Sequence, residues 1–83
     1  MRYRAEVQVR LKEGYYDPEG ETTKNALLDL KYAVQEVRVS KLFTIIFEAE
    51  SLESARSEID EMSRRLLSNP VKDDYHIEIK EIR

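Results

Sequence analysis

Eighty-three residues set the size of one small domain, spanning 1–83, and 14 Lys and Arg stand against 17 Asp and Glu for a formal charge of -3. No basic run with interleaved aromatics is present, which argues against a nucleic-acid backbone as the main ligand. The absence of cysteine excludes a disulfide framework, a thiolate nucleophile and a thiolate metal site. In chain order, Tyr3, Ala5, Val7, Val9 and Leu11 alternate with Arg4, Glu6, Gln8 and Arg10, the period of a strand with one wet face.

After Gly14-Tyr15-Tyr16, the stretch Asp17-Pro18-Glu19-Gly20 opens a helix of about residues 18 to 32. Asp17 is a good N-cap acceptor, Pro18 suits the first helical position, and Glu19 and Glu21 favour the positive end of the dipole. Gly20 lowers helix propensity by roughly 1 kcal/mol relative to Ala, so a close backbone contact or a distorted first turn is expected there. Two readings of that contact are open: approach of another chain, or packing against the Asn69-Pro70 loop. Thr23, Ala26, Leu27 and Leu30 form the stripe expected to be buried.

Val37 and Val39 alternate in Gln35 to Val39, and Phe43, Ile45 and Phe47 alternate in Leu42 to Glu48, predicting two strands. A three-residue loop, Ser40-Lys41-Leu42, sets Val39 opposite Phe43 and Val37 opposite Ile45 and keeps all five on one face. Leu42 and Ile46 then point away from the core, and such a face usually meets a second copy, which makes these two the dimer candidates. Ser51 announces a second helix carrying Leu52, Ala55, Ile59, Met62 and Leu66, stopped at Asn69-Pro70. Tyr75, Ile77 and Ile79 alternate against His76, Glu78 and Lys80 as a last strand.

The order strand, helix, strand, strand, helix, strand predicts an α+β two-layer sandwich of ferredoxin-like order, with both helices on one face of a four-stranded antiparallel sheet. Its outer face would carry Arg4, Glu6, Gln8, Arg10, Arg38, Thr44, His76 and Glu78 around Leu42 and Ile46, a mixed surface suited to another protein. No apolar run exceeds three residues such as Ile45-Ile46-Phe47, and no signal-type region opens the chain, so the expectation is a soluble, cytoplasmic protein.

Catalytic chemistry is hard to build from these residues. His76 is the one histidine and sits mid-strand, without a partner for nucleophilic or metal chemistry. The carboxylate groups Asp73-Asp74, Glu48 with Glu50, and Glu58 with Asp60 and Glu61 lie on solvated faces or loops, where they read as surface charge. Gly14 and Gly20 fit no phosphate-cradling pattern, and the acidic helix start disfavours an anion. Tyr15-Tyr16 reads as packing or interface. The residues alone therefore describe an acidic, non-catalytic interaction domain with no catalytic, cofactor-binding or metal-binding residue.

Several stretches resemble the PurS family, the small subunits of phosphoribosylformylglycinamidine synthase. They are Leu11-Lys12, Asp17-Pro18-Glu19-Gly20, Ala26-Leu27, Val37-Arg38-Val39-Ser40-Lys41, Leu66-Leu67-Ser68-Asn69-Pro70-Val71 and Asp73-Asp74-Tyr75, in this order over nearly the whole chain. Ser40 stands where the family usually has glycine, which points to a local difference in the turn. The resemblance implies a dimeric, non-catalytic subunit of the purine-biosynthetic ligase that converts formylglycinamide ribonucleotide to formylglycinamidine ribonucleotide. ATP and Mg are then expected in the large synthetase subunit, with a glutaminase subunit as the other partner. Asp17, Pro18, Gly20, Arg38 and Lys41 are the candidates for contact with a partner subunit. The alternative is a dimeric regulatory domain of the same topology that binds a small molecule. An RNA-binding module would need outward aromatics on the central strands, whereas Tyr3, Phe43 and Phe47 point inward in this register.

Overall fold

Strand β1, Arg2–Leu11, takes the central place because both of its neighbours bring a matching apolar alternation. In the computed structural model, which describes residues 1–83, β1 pairs antiparallel with β2, Ser40–Glu48, and with β3, Asp73–Ile82, in the order β2-β1-β3. Ala5 lies opposite Ile45 and Ile79, and Val7 opposite Phe43 and Ile77, so the apolar residues of three strands share an inner face. Tyr3 stacks at a tilt on Phe47, with ring centroids 6.2 Å apart. The outer face carries Arg4, Glu6, Gln8, Thr44, His76 and Glu78, with Leu42 and Ile46 exposed among them as the alternation predicts.

Helix α2, Leu52–Met62, covers β1 and β3. Its N-terminus is capped by Ser51, whose Oγ accepts from the Ser54 N–H at 3.1 Å. Ile59 is fully buried against Ala5, Val7 and Val9 and anchors the core; burying a side chain of that size stabilises by about 2 kcal/mol. Asp60, next along the helix, accepts from the Tyr75 hydroxyl at 2.7 Å and from Arg64 Nε at 3.0 Å, tying α2 to β3.

The predicted stripe of α2 holds at Ala55, Ile59 and Met62, with Leu52 exposed at its start, and then changes register. Residues Ser63–Leu67 form a wider, π-type turn, in which the Ser68 N–H bonds the Ser63 carbonyl five residues back at 2.9 Å. Ser63 is buried and donates its hydroxyl to the Ile59 carbonyl at 2.8 Å. The extra residue carries Leu67 onto the core and leaves Leu66, expected inside, 83% exposed.

Two further expectations are corrected. Residues 35–39 form no strand, and no hairpin turns at 40–42: the sheet has three strands, not four, and the expected ferredoxin-like order is not formed. Instead, the Val39 N–H is taken by Asp17, and the Arg38 side chain bonds the carbonyls at the end of β1. Helix α1, Pro18–Asp29, does not lie on the sheet, and of its residues only Gly20 is buried. Thr23, Ala26 and Leu30 of the predicted buried stripe face solvent. The result is a molecule 51 × 29 × 14 Å across. Its radius of gyration is 16.4 Å, against roughly 12 Å for a compact chain of this length.

Helix α1 ends in a Schellman motif: the Lys31 N–H bonds the Leu28 carbonyl at 2.9 Å and the Tyr32 N–H bonds that of Leu27 at 3.1 Å. Lys31 therefore sits at φ 75°, a left-handed conformation that a side chain disfavours. Lys31→Gly should raise stability by about 1 kcal/mol, read as a higher denaturation midpoint at unchanged m-value.

Candidate functional site

The residues that open α1 are brought together with the chain that returns from it. Asp17 Oδ1 accepts from the Gly20 N–H at 2.9 Å, the expected N-cap, while Oδ2 accepts from the Val39 N–H at 2.7 Å. One carboxylate thus joins the start of α1 to the entry of β2. These two backbone donors, with the nearby Arg38 guanidinium, hold the Asp17 carboxyl below its ordinary value near 3.8. Arg38 Nη2 donates to the Leu11 and Lys12 carbonyls at 3.2 and 3.3 Å, and its Nη1 lies 3.8 Å from Glu36. It therefore lies beside the end of β1, in a hollow shared with the outer-face residues Gln8, Arg10, Ser40 and Asp74.

Gly20 has the close backbone contact that its presence called for, though with neither neighbour first considered. A β-carbon there would collide with the Val37 carbonyl oxygen and stand 2.8 Å from Asp17 Oδ2. The close approach is made by the segment leading into β2, not by the Asn69-Pro70 loop. That loop closes on itself: Asn69 Oδ1 accepts from the Val71 N–H at 2.9 Å, and Asp73 Oδ2 accepts from the Asn69 N–H at 2.8 Å.

The sequence candidates fall into two groups. Asp17, Pro18, Gly20 and Arg38 meet at the base of α1, and Lys41 lines a shallow hollow beside them with Asp17, Asn69, Lys72 and Asp73. Lys41 projects on the inner face, opposite Val9. Leu42 and Ile46 lie on the outer face, opposite Gln8 and Arg4.

One exposed surface was not read from the sequence. Helix α2 packs on β1 and β3, which leaves the inner face of β2, with half-buried Phe43, Ile45 and Phe47, at the margin of the core. This open strip and the uncovered stripe of α1 are complementary in kind, and neither is filled within the chain. Their visible signal was the alternation of each segment; that the two do not meet is a tertiary fact.

Groups suited to chemistry are sparse. His76 is exposed, 3.7 Å from Glu78. Tyr75 is pushed up by its bond to Asp60, and Asp60 is lowered by the same bond and by Arg64, as in a structural tie. No cluster of three or more His, Cys, Asp or Glu is arranged to hold a metal ion, and no helix is long and apolar enough to cross a membrane.

Residues 4–81 match the family model described as PurS: phosphoribosylformylglycinamidine (FGAM) synthase. The chain is similar to the phosphoribosylformylglycinamidine synthase subunit PurS of Methanocaldococcus jannaschii, 42% identical over 81 residues, 96% of this chain and 98% of the relative. Among solved structures it resembles Thermus thermophilus PurS, with TM-score 0.88, 40% identity and full coverage of both chains. It also resembles a chain of PurLQS from Thermotoga maritima, with TM-score 0.87, 27% identity, and coverage of 96% of this chain and 99% of that one.

Two outcomes test the junction at α1. Gly20→Ala should destabilise the protein by about 1–3 kcal/mol in chemical denaturation, because the obstructing atom is backbone and cannot swing aside. For Asp17, the folded-state value is depressed, so its contribution is present above the ordinary value and is lost as pH falls through the folded value. Asp17→Asn should then be less stable than wild type at neutral pH, and the gap should close as the pH drops below 3.8. A gap that stays constant to pH 2 on thermal melts would remove the carboxylate charge from the account.

Proposed function

This chain belongs to the PurS family of phosphoribosylformylglycinamidine synthase subunits, and we propose that it serves as the small, non-catalytic subunit of that synthase. In this reading it holds a large synthetase subunit and a glutaminase subunit together for the glutamine-dependent conversion of formylglycinamide ribonucleotide to formylglycinamidine ribonucleotide. ATP and Mg belong to the large subunit, this chain binds no cofactor, and the assembly works in the cytoplasm. The observation that carries the reading is likeness over almost the whole chain, extending to a chain of the PurLQS structure.

The shape of the chain supports a role in assembly. Its accessible surface is 6496 Å², about 1,300 Å² more than the roughly 5,200 Å² of a compact protein of this mass. Only 8 of 83 residues are buried, so the chain keeps much of its apolar surface for other chains, the first of them a second copy of itself. Asp17, Pro18 and Gly20 act by fixing the base of α1, while Arg38 and Lys41 border it as contacts to a partner subunit. The outer sheet face, with Leu42 and Ile46, is available for a further contact between subunits.

Reconstitution tests the function. Mixing the large and glutaminase subunits from the same source with and without this chain should give glutamine-dependent product only when it is present. Full activity without it would overturn the bridging role.

A further inference from the structure

We infer that the hollow at the end of β1 binds a small zwitterion of net negative charge, of the class of an acidic amino acid. Arg10, Lys12 and Arg38 take its carboxylates, and Glu13 and Asp74 take its ammonium group.

The sheet register brings these groups together. Gln8 and Arg10 are successive outward residues of β1, and Lys12 continues the same spacing past the end of the strand. Across the sheet, Arg10 lies between Ser40 at the start of β2 and Asp74 near the start of β3. Arg38 reaches over from the segment before β2, held by the Leu11 and Lys12 carbonyls. All of them line one hollow of about 630 Å³, which also takes in Glu13.

Size and lining decide the kind of ligand. The volume falls within the range of roughly 300–1,000 Å³ usual for small-molecule pockets, but such pockets are mostly apolar. Here Leu11 and Val39 are the only apolar residues of the lining, so recognition has to come from charge and hydrogen bonds. Gln8 Nε2 donates to the Ser40 hydroxyl at 3.2 Å, a further polar link between β1 and β2 at the same place.

The charges are left without partners. Arg10, Lys12, Glu13 and Asp74 form no ion pair, although Arg10 and Asp74 stand directly opposite each other in the ladder. Arg38 is positioned by neutral carbonyls, and its carboxylate neighbour Glu36 stands 3.8 Å from Nη1, beyond hydrogen-bond reach. Its place is therefore fixed before a ligand arrives, while its charge is not cancelled. A chain with a formal charge of -3 thus gathers three cations at one spot. A plain oxyanion would be drawn to those cations and repelled by Glu13 and Asp74. A molecule with two carboxylates and one ammonium group matches both signs. Hydrolysis of glutamine, the nitrogen source of the proposed reaction, leaves a molecule of this class; that connection rests on the subunit reading, whereas the site itself does not.

Amide NMR of the isotope-labelled chain, titrated with L-glutamate at constant ionic strength, tests the site. Saturable shifts are expected at Gln8, Arg10, Lys12, Glu13, Ser40 and Asp74. Glutarate, which lacks the ammonium group, and inorganic phosphate should each bind several-fold more weakly. Arg10→Gln, a change at an exposed position, should weaken glutamate binding by about threefold to fivefold. Asp74→Asn should weaken glutamate yet strengthen phosphate, an opposition that a loss of folding could not produce. Shifts that never saturate, or that saturate elsewhere on the chain, would overturn the site. Phosphate or glutarate binding as tightly as glutamate would overturn the zwitterion and leave a simple anion site. The titration uses this chain alone, so a failed reconstitution removes the bridging role and leaves the site standing.

Discussion

The Asp17 carboxylate carries more of this architecture than any other side chain. With one oxygen it caps α1, and with the other it binds the Val39 N–H twenty-two residues later. A short link between a helix start and a strand entry forces the intervening chain into a closed loop, α1 out and 30–39 back. Gly20 permits the crossing, since a side chain at that point would meet the Val37 carbonyl. Arg38 then fastens the crossing to β1 through two carbonyls. Capping, close approach and charge are one arrangement here, and the direction in which α1 leaves the sheet follows from it.

That direction has an energetic consequence. With α1 turned away, one helix alone serves the sheet, and the core shrinks to Ile59 and Ala55 over the inner residues of β1. A chain of this length is marginal even when it buries all that it can. Here apolar side chains of β2 and α1 remain at the surface, and their burial is the main stabilisation still available. That open surface is consistent with a family whose members are subunits of a synthase. A piece built in this way contributes shape and surface to an enzyme, with its exposed histidine and dispersed carboxylates left to solvent.

Much of this was legible from residue order. The alternation of Tyr3 to Val9, of Phe43 to Phe47 and of Tyr75 to Ile79 located all three strands and their inner faces. Asp17 and Ser51 marked both helix starts, and the excess of Gly20 over propensity pointed to a close contact. The π-type turn was not legible, because a stripe at three and four spacing continues through Leu66 equally well on paper. What decides for Leu67 is the Ser63 hydroxyl bonded to Ile59 and the one-residue slip that follows.

The sequence by itself determined which residues form elements, which side of each is apolar, and that no nucleophile or thiolate site is on offer, because these depend on local spacing and residue type. It also carried the family, through stretches spread along the whole chain. Only the tertiary structure decided that Val37 and Val39 run straight into β2 instead of turning back, and that α1 stands clear of its own sheet. Alternation specifies that two segments can pair but not whether they do so within one chain or across two. In this chain the segment is held at the junction, where Asp17 takes the Val39 N–H and the Arg38 side chain fastens to the end of β1.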